Sequence, residues 1–119
     1  MINRIAVVGS RGFDSYSFFA EKLEQIISNL DGEIEYISGG CKSGADALIS
    51  RYCKEHNYKL TEYLPDWEQY KKSAGMIRNK LIINDATHII AFWDGVSKGT
   101  ANSLKLAEKR KLPIRIVKI

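Results

Sequence analysis

Thr87-His88-Ile89-Ile90-Ala91-Phe92-Trp93 runs directly into Asp94-Gly95-Val96-Ser97-Lys98-Gly99-Thr100. A short apolar run closed by a glycine-bearing loop reads as a buried parallel strand that feeds a helix. The helix is expected from Thr100 to about Arg110, and Pro113 precedes a last strand at Ile114 to Val117.

The same unit recurs upstream. Ile5-Ala6-Val7-Val8 is an apolar run ending at Gly9, followed by the loop Ser10-Arg11-Gly12-Phe13-Asp14. Phe19, Leu23, Ile26, Ile27 and Leu30 then fall at helical spacing, and Asp31-Gly32 ends that helix. Ile34 to Ile37 predicts a second strand, leading into Ser38-Gly39-Gly40-Cys41-Lys42-Ser43-Gly44. Ala45, Leu48, Ile49, Tyr52 and Cys53 line one face of the next helix. Tyr58 to Leu64 predicts a third strand, broken by Pro65-Asp66-Trp67, with a helix from about Tyr70 to Asn84.

The alternation βαβαβαβαβ implies an α/β fold: a Rossmann-like three-layer sandwich with a five-stranded parallel sheet. We expect strand order 3-2-1-4-5, with right-handed crossovers and a switch point between strands 1 and 4. The 119 residues are expected to form one domain, residues 1–119, without repeats or linkers.

Composition narrows the class. No apolar run approaches the roughly 20 residues of a membrane span, and the N-terminus lacks a signal-peptide layout, so a cytoplasmic location is expected. Cys41 and Cys53 form no CxxC and sit in no His/Cys cluster; they read as reduced thiols, with no metal and no cofactor expected. A net charge of +4 permits an anionic partner, but the lysines are dispersed rather than clustered. His56, near a helix C-terminus, and His88, within a strand, read as structural.

Strands 1, 2 and 4 each end in a glycine loop that opens a helix, all at one sheet edge. Glycine allows close approach, and a helix N-terminus presents unpaired N–H groups and partial positive charge, which suit phosphate. Neither GxGxxG nor GxxxxGK[ST] is present. In the first loop Gly9, Ser10 and Arg11 are candidates, Arg11 for bidentate phosphate contact. In the second, Gly39, Gly40 and Gly44 offer backbone N–H groups. Ser43 and Asp46 have capping-box spacing, so Asp46 is open to a capping or a ligand role. In the fourth-strand loop Ser97, Gly99 and Thr100 are candidates, and Lys98 reads as an ordinary surface lysine. Gly75 within a predicted helix costs about 1 kcal/mol relative to Ala, which suggests close packing or ligand approach beside Arg78 and Asn79. Trp67 and Tyr70 are candidates for base stacking, with packing at the end of the core as the alternative.

Gly9-Ser10-Arg11-x-Phe13, Ser38-Gly39-Gly40-x-x-Gly44-Ala45-Asp46, Ala74-Gly75-x-x-Arg78-Asn79 and Gly95-x-Ser97-x-Gly99-Thr100 occur in that order. This set resembles the SLOG superfamily, which includes DprA/Smf and Lonely Guy proteins, and within it the small YspA-like group. The resemblance implies a Rossmann-like fold and a site for nucleotides or their derivatives. It assigns Ser10, Arg11, Gly39, Gly40, Gly44, Asp46, Arg78, Asn79, Gly99 and Thr100 to that site, and it implies a homodimer. Lonely Guy enzymes cleave the N-glycosidic bond of nucleoside monophosphates with a catalytic Glu in PGGxGTxxE. Ser103 occupies that position here, and a carboxylate is needed there to stabilise an oxocarbenium-like centre or activate water. Such chemistry would fall to Arg78 with another acid, Asp46 or Asp94. DprA proteins bind single-stranded DNA, which calls for a basic groove with several stacking aromatics; only Trp67 and Tyr70 suggest themselves.

Overall fold

The computed structural model describes all of residues 1–119. Five strands, β1 (Ile2–Gly9), β2 (Glu33–Ser38), β3 (Leu60–Glu62), β4 (His88–Trp93) and β5 (Ile114–Lys118), form one sheet in the order β3-β2-β1-β4-β5. Every pairing is parallel. The helices are α1 (Tyr16–Ile27), α2 (Gly44–His56), α3 (Trp67–Tyr70), α4 (Ala74–Asp85) and α5 (Lys98–Lys109).

The strands are apolar on both sides because both faces are covered. Successive side chains of β1 point to opposite faces: Ile5 and Val7 pack with Phe19, Leu23, Leu48, Ile49, Ile90 and Phe92 under α1 and α2. Ala6 and Val8 pack with Ile82, Ile83, Ile89, Ala91, Leu104 and Ala107 under α4 and α5. Cys53 lies buried in the first layer, on the helix face expected of it.

The long helix expected from Tyr70 to Asn84 is interrupted. A short α3 and a 3₁₀ turn at Lys71–Ser73 precede α4, with Lys71 at φ 54°. Asp66 caps α3 by accepting the Gln69 N–H at 3.1 Å. Gly75 therefore lies in the first turn of α4, and a Cβ there would meet only the Trp67 ring, at 3.8 Å. The expected third strand also shrinks from Tyr58–Leu64 to Leu60–Glu62, which pairs with Tyr36 to Ser38 at the end of β2. No helix is long and apolar enough to cross a membrane.

The order reverses between β1 and β4, so the chain leaves these adjacent strands toward opposite faces. Their carboxyl ends, Gly9 and Trp93, open the crevice where ligands of open α/β sheets bind.

Candidate functional site

A cleft of about 430 Å³ occupies this switch point. The loop after β1 supplies Gly9, Ser10, Arg11 and Gly12, and the loop after β2 supplies Gly39, Cys41 and Ser43. The β4 loop and α5 supply Asp94 and Ser97 to Thr100, with Ser103 deeper. Asp46, Arg78 and Asn79 close the side nearest α2 and α4.

Ser10 joins the two strands at the switch point. Its N–H donates to the Phe92 carbonyl at 3.0 Å, and its hydroxyl accepts the Asp94 N–H at 3.3 Å. Ser97 Oγ stands 3.0 Å from Ser10 Oγ and 3.2 Å from Asp94 Oδ2. Ser10 is thus a buried tie between loops as well as a lining residue.

Asp94 shapes the start of α5. Its Oδ1 accepts the Val96 and Ser97 N–H groups, both at 2.9 Å, and these bonds hold its carboxyl below the ordinary range. Trp93 Nε1 donates to the Ser97 carbonyl at 3.1 Å and steadies the same turn. The Lys98, Gly99 and Thr100 N–H groups are left without an acceptor in the chain, as the first turn of a helix requires.

The second loop works differently from its expected capping box. Ser43 is the N-cap of α2, but its side chain makes no cap bond. Asp46 turns back instead and accepts the Cys41 N–H at 3.0 Å. Burial raises the Asp46 carboxyl above the ordinary range, against the opposing pull of the Cys41 N–H, the Arg78 guanidinium and the Gly39 N–H. The first-turn N–H groups of α2 therefore remain uncapped by side chains.

Arg78 reaches from α4 across this loop. Its Nη1 donates to the Gly39 carbonyl at 2.8 Å, and its Nε donates to Asn79 Oδ1 at 3.0 Å. Nη2 makes no hydrogen bond within the chain. Asn79 is held in turn by donating to Asn102 Oδ1 at 3.2 Å. Arg11 and Lys98 are exposed at the rim, and neither they nor Arg78 takes part in an ion pair. Three cations thus face the cleft without a salt-bridge partner.

The structure brings Gly9, Ser10, Arg11, Gly39, Asp46, Arg78, Asn79, Ser97, Gly99 and Thr100 to one cleft. Gly40 and Gly44 stand behind it. Gly44, at φ +67°, packs on the backbone of Ser10 and Arg11, with a Cβ position 2.6 Å from Arg11 Cα. Trp67 and Tyr70 lie outside the lining, which contains no aromatic ring. The Trp67 ring lies beside Gly75 instead, 3.8 Å from a Cβ placed there.

Cys41, Asn102 and Ser103 were not picked out as site residues by the spacing. Ser103 and Thr100 are 2% and 5% exposed and line the cleft, yet neither hydroxyl has a hydrogen-bond partner in the chain. Nothing in the local sequence distinguishes such hydroxyls from helix-surface ones. No group of three His, Cys, Asp or Glu side chains is placed to hold a metal ion.

Three relationships frame this geometry. The chain is 26% identical over 119 residues to the Gene 61 protein of Mycobacterium phage D29, covering 95% of this chain and 94% of that protein. Its fold matches a protein described as a molybdenum cofactor binding protein from the phototrophic bacterium Rippkaea orientalis. The TM-score is 0.75 at 20% identity, over the whole of this chain and 78% of that one. Residues 3–70, from the opening strand through the first two of the three glycine loops to α3, match the family described as YspA, cpYpsA-related SLOG, and the chain belongs to that family.

Proposed function

We propose that the cleft binds a phosphorylated nucleotide or nucleotide derivative, with the phosphate at the first turn of α5. The observation that carries this reading is the set of unpaired Lys98, Gly99 and Thr100 N–H groups in a cleft also lined by Arg11, Arg78 and Lys98, none of which is engaged in a salt bridge. Aligned N–H groups and the helix dipole favour an anion there. Arg11 and the free Nη2 of Arg78 would supply charge-assisted hydrogen bonds. Thr100, Ser103 and Asp46 would meet the hydroxyl-rich remainder of the ligand. Residues 1–119 act as one unit in this reading.

The test is a panel of AMP, GMP, ADP-ribose, NAD and cyclic dinucleotides, followed by thermal shift and by release of free base. Stabilisation without turnover, lost in Arg11→Ala, is the expected result. No stabilisation by any member would remove the nucleotide from the reading.

One observation favours a second reading. Asp46 is a carboxyl raised by burial, in the cleft and under the influence of Arg78, and a shifted carboxyl in a cleft is a candidate for acid–base work. On this reading the chain hydrolyses an N-glycosidic bond, and free base appears in proportion to protein and disappears in Asp46→Asn. The single-strand DNA reading lacks comparable support, because the lining offers no aromatic platform for stacking.

A further inference from the structure

Cys41 lines the cleft and has no part in the binding scheme above. It is half-buried, whereas Cys53 is buried in the core. Its Sγ lies 3.7 Å from Ser43 Oγ, at the N-cap of the 13-residue helix α2. Its own N–H holds Asp46 Oδ2 at 3.0 Å. The loop that carries the thiol is therefore tied through one hydrogen bond to the Asp46 carboxyl of α2.

The surroundings of Sγ favour an anion. The Ser43 N–H and side chain and the Arg11 charge lower the thiol below its ordinary value, against burial and the Asp46 charge. A helix N-terminus with a nearby arginine is the environment in which thiolates become reactive. A second, independent observation points to a ligand in the same cavity: Thr100 and Ser103 are only 5% and 2% exposed, line the cleft, and make no side-chain hydrogen bond within the chain. Cys53 supplies the contrast inside the same chain, since burial pushes its thiol up to about 12.

We propose that Cys41 undergoes reversible thiol–disulfide exchange with low-molecular-weight disulfides, and that the mixed disulfide closes the ligand cleft. The Cys41 thiolate attacks one sulfur of the small disulfide. The co-reactant's S–S bond breaks, a new S–S bond forms to Cys41, and the departing thiolate takes a proton from water. A second equivalent of free thiol reverses the step. An adduct of tripeptide size at Cys41 competes for the 430 Å³ that the ligand needs. A bound phosphate and the thiolate draw on the same Arg11 charge, so each disfavours the other. The closure half of the proposal rests on the nucleotide reading; the exchange half does not.

The native chain is treated with oxidised glutathione, the modified peptide is located by mass spectrometry, and AMP affinity is measured before and after. Cys41 is expected to exchange at least about tenfold faster than Cys53, with saturating AMP slowing it. The adduct is expected to weaken AMP binding by at least about tenfold, and dithiothreitol to restore it. In Cys41→Ser, whatever AMP affinity remains is expected to be insensitive to the disulfide. Exchange first at Cys53, no adduct on the folded chain, or equal AMP affinity with and without the adduct would overturn the proposal. Selective exchange at Cys41 in a chain that binds no member of the nucleotide panel would support the thiol assignment and sink both the nucleotide reading and the closure half, which separates the two.

Discussion

The Arg78 guanidinium lies against the backbone of Gly39: Nη1 donates to the Gly39 carbonyl at 2.8 Å, and a Cβ at residue 39 would stand 2.9 Å from Cζ. Gly39 does not adopt positive φ, so its lack of a side chain serves the arginine rather than the turn.

Gly39→Ala and Gly44→Ala are therefore expected to behave differently. At residue 39 the new methyl meets the far end of the Arg78 side chain, which can swing away, and Asp46 Oδ2 at 3.0 Å, which must give by a few tenths of an ångström, so stability falls by about 1 kcal/mol. Ligand binding falls, because Arg78 leaves the cleft. At residue 44 the methyl meets the fixed backbone of Ser10 and Arg11 at φ +67°, and the fold loses about 3 kcal/mol. Urea unfolding of both variants, with AMP titration of Gly39→Ala, checks the contrast.

Asp46 makes stability depend on pH. Its folded-state carboxyl lies above the ordinary value, chiefly through burial. The folded chain thus holds the proton more tightly than the unfolded chain. The resulting stabilisation is present below the unfolded value, about pH 4, and is lost as pH rises through the raised folded value. Asp46→Asn removes this loss while an amide oxygen can still accept the Cys41 N–H. The melting temperature of Asp46→Asn relative to wild type is expected to rise between pH 4 and pH 7. A flat difference would show that ionised Asp46 is fully compensated by its partners.

Arg11 and Arg78 should separate by salt and by fold. Arg11 is exposed and makes no hydrogen bond within the chain, so Arg11→Ala leaves the melting temperature unchanged. It weakens AMP binding about tenfold at low salt, and the deficit narrows as salt screens the exposed charge. Arg78→Ala also removes the bonds to Gly39 and Asn79, so it lowers both affinity and stability. Calorimetric titration at two ionic strengths reads the difference.

Tyr36 carries a hydroxyl without a partner in the core, at 0% exposure. Burial pushes its phenol far above the ordinary value. The ring itself packs edge-on against Tyr52 and Tyr58. Tyr36→Phe keeps that packing and removes an unpaired polar group, so it is expected to be neutral or to stabilise by about 1 kcal/mol. Destabilisation in chemical denaturation would mean that the hydroxyl is satisfied in solution.

The parallel sheet, its order and the side of the sheet bearing the cleft were legible in the chain itself. Continuous apolar runs such as Ile5–Val8 and His88–Trp93 are buried on both faces, and their glycine-closed ends must lie together once all strands run in one direction. Ser10, Arg11, Gly39 and Thr100 could be assigned to one edge on that ground alone, whereas Arg78, within a helix, was assigned there only through the resemblance to the SLOG superfamily. The break at Lys71–Ser73 could not, because helical spacing on either side continues through it.

Tertiary structure decided which groups are spent and which are free. Ser43 and Asp46 have the spacing of a reciprocal cap, but the fold of the Gly39–Cys41 loop offers Asp46 a different donor and leaves α2 uncapped. Trp67 and Tyr70 have the chemistry to stack a base, but α3 sets them outside the lining. Spacing along the chain determines which residues can share a face. Hydrogen bonds between loops tens of residues apart, such as Ser10 with Asp94 and Arg78 with Gly39, determine which polar atoms are left for a ligand, and those distances exist only once the sheet has formed.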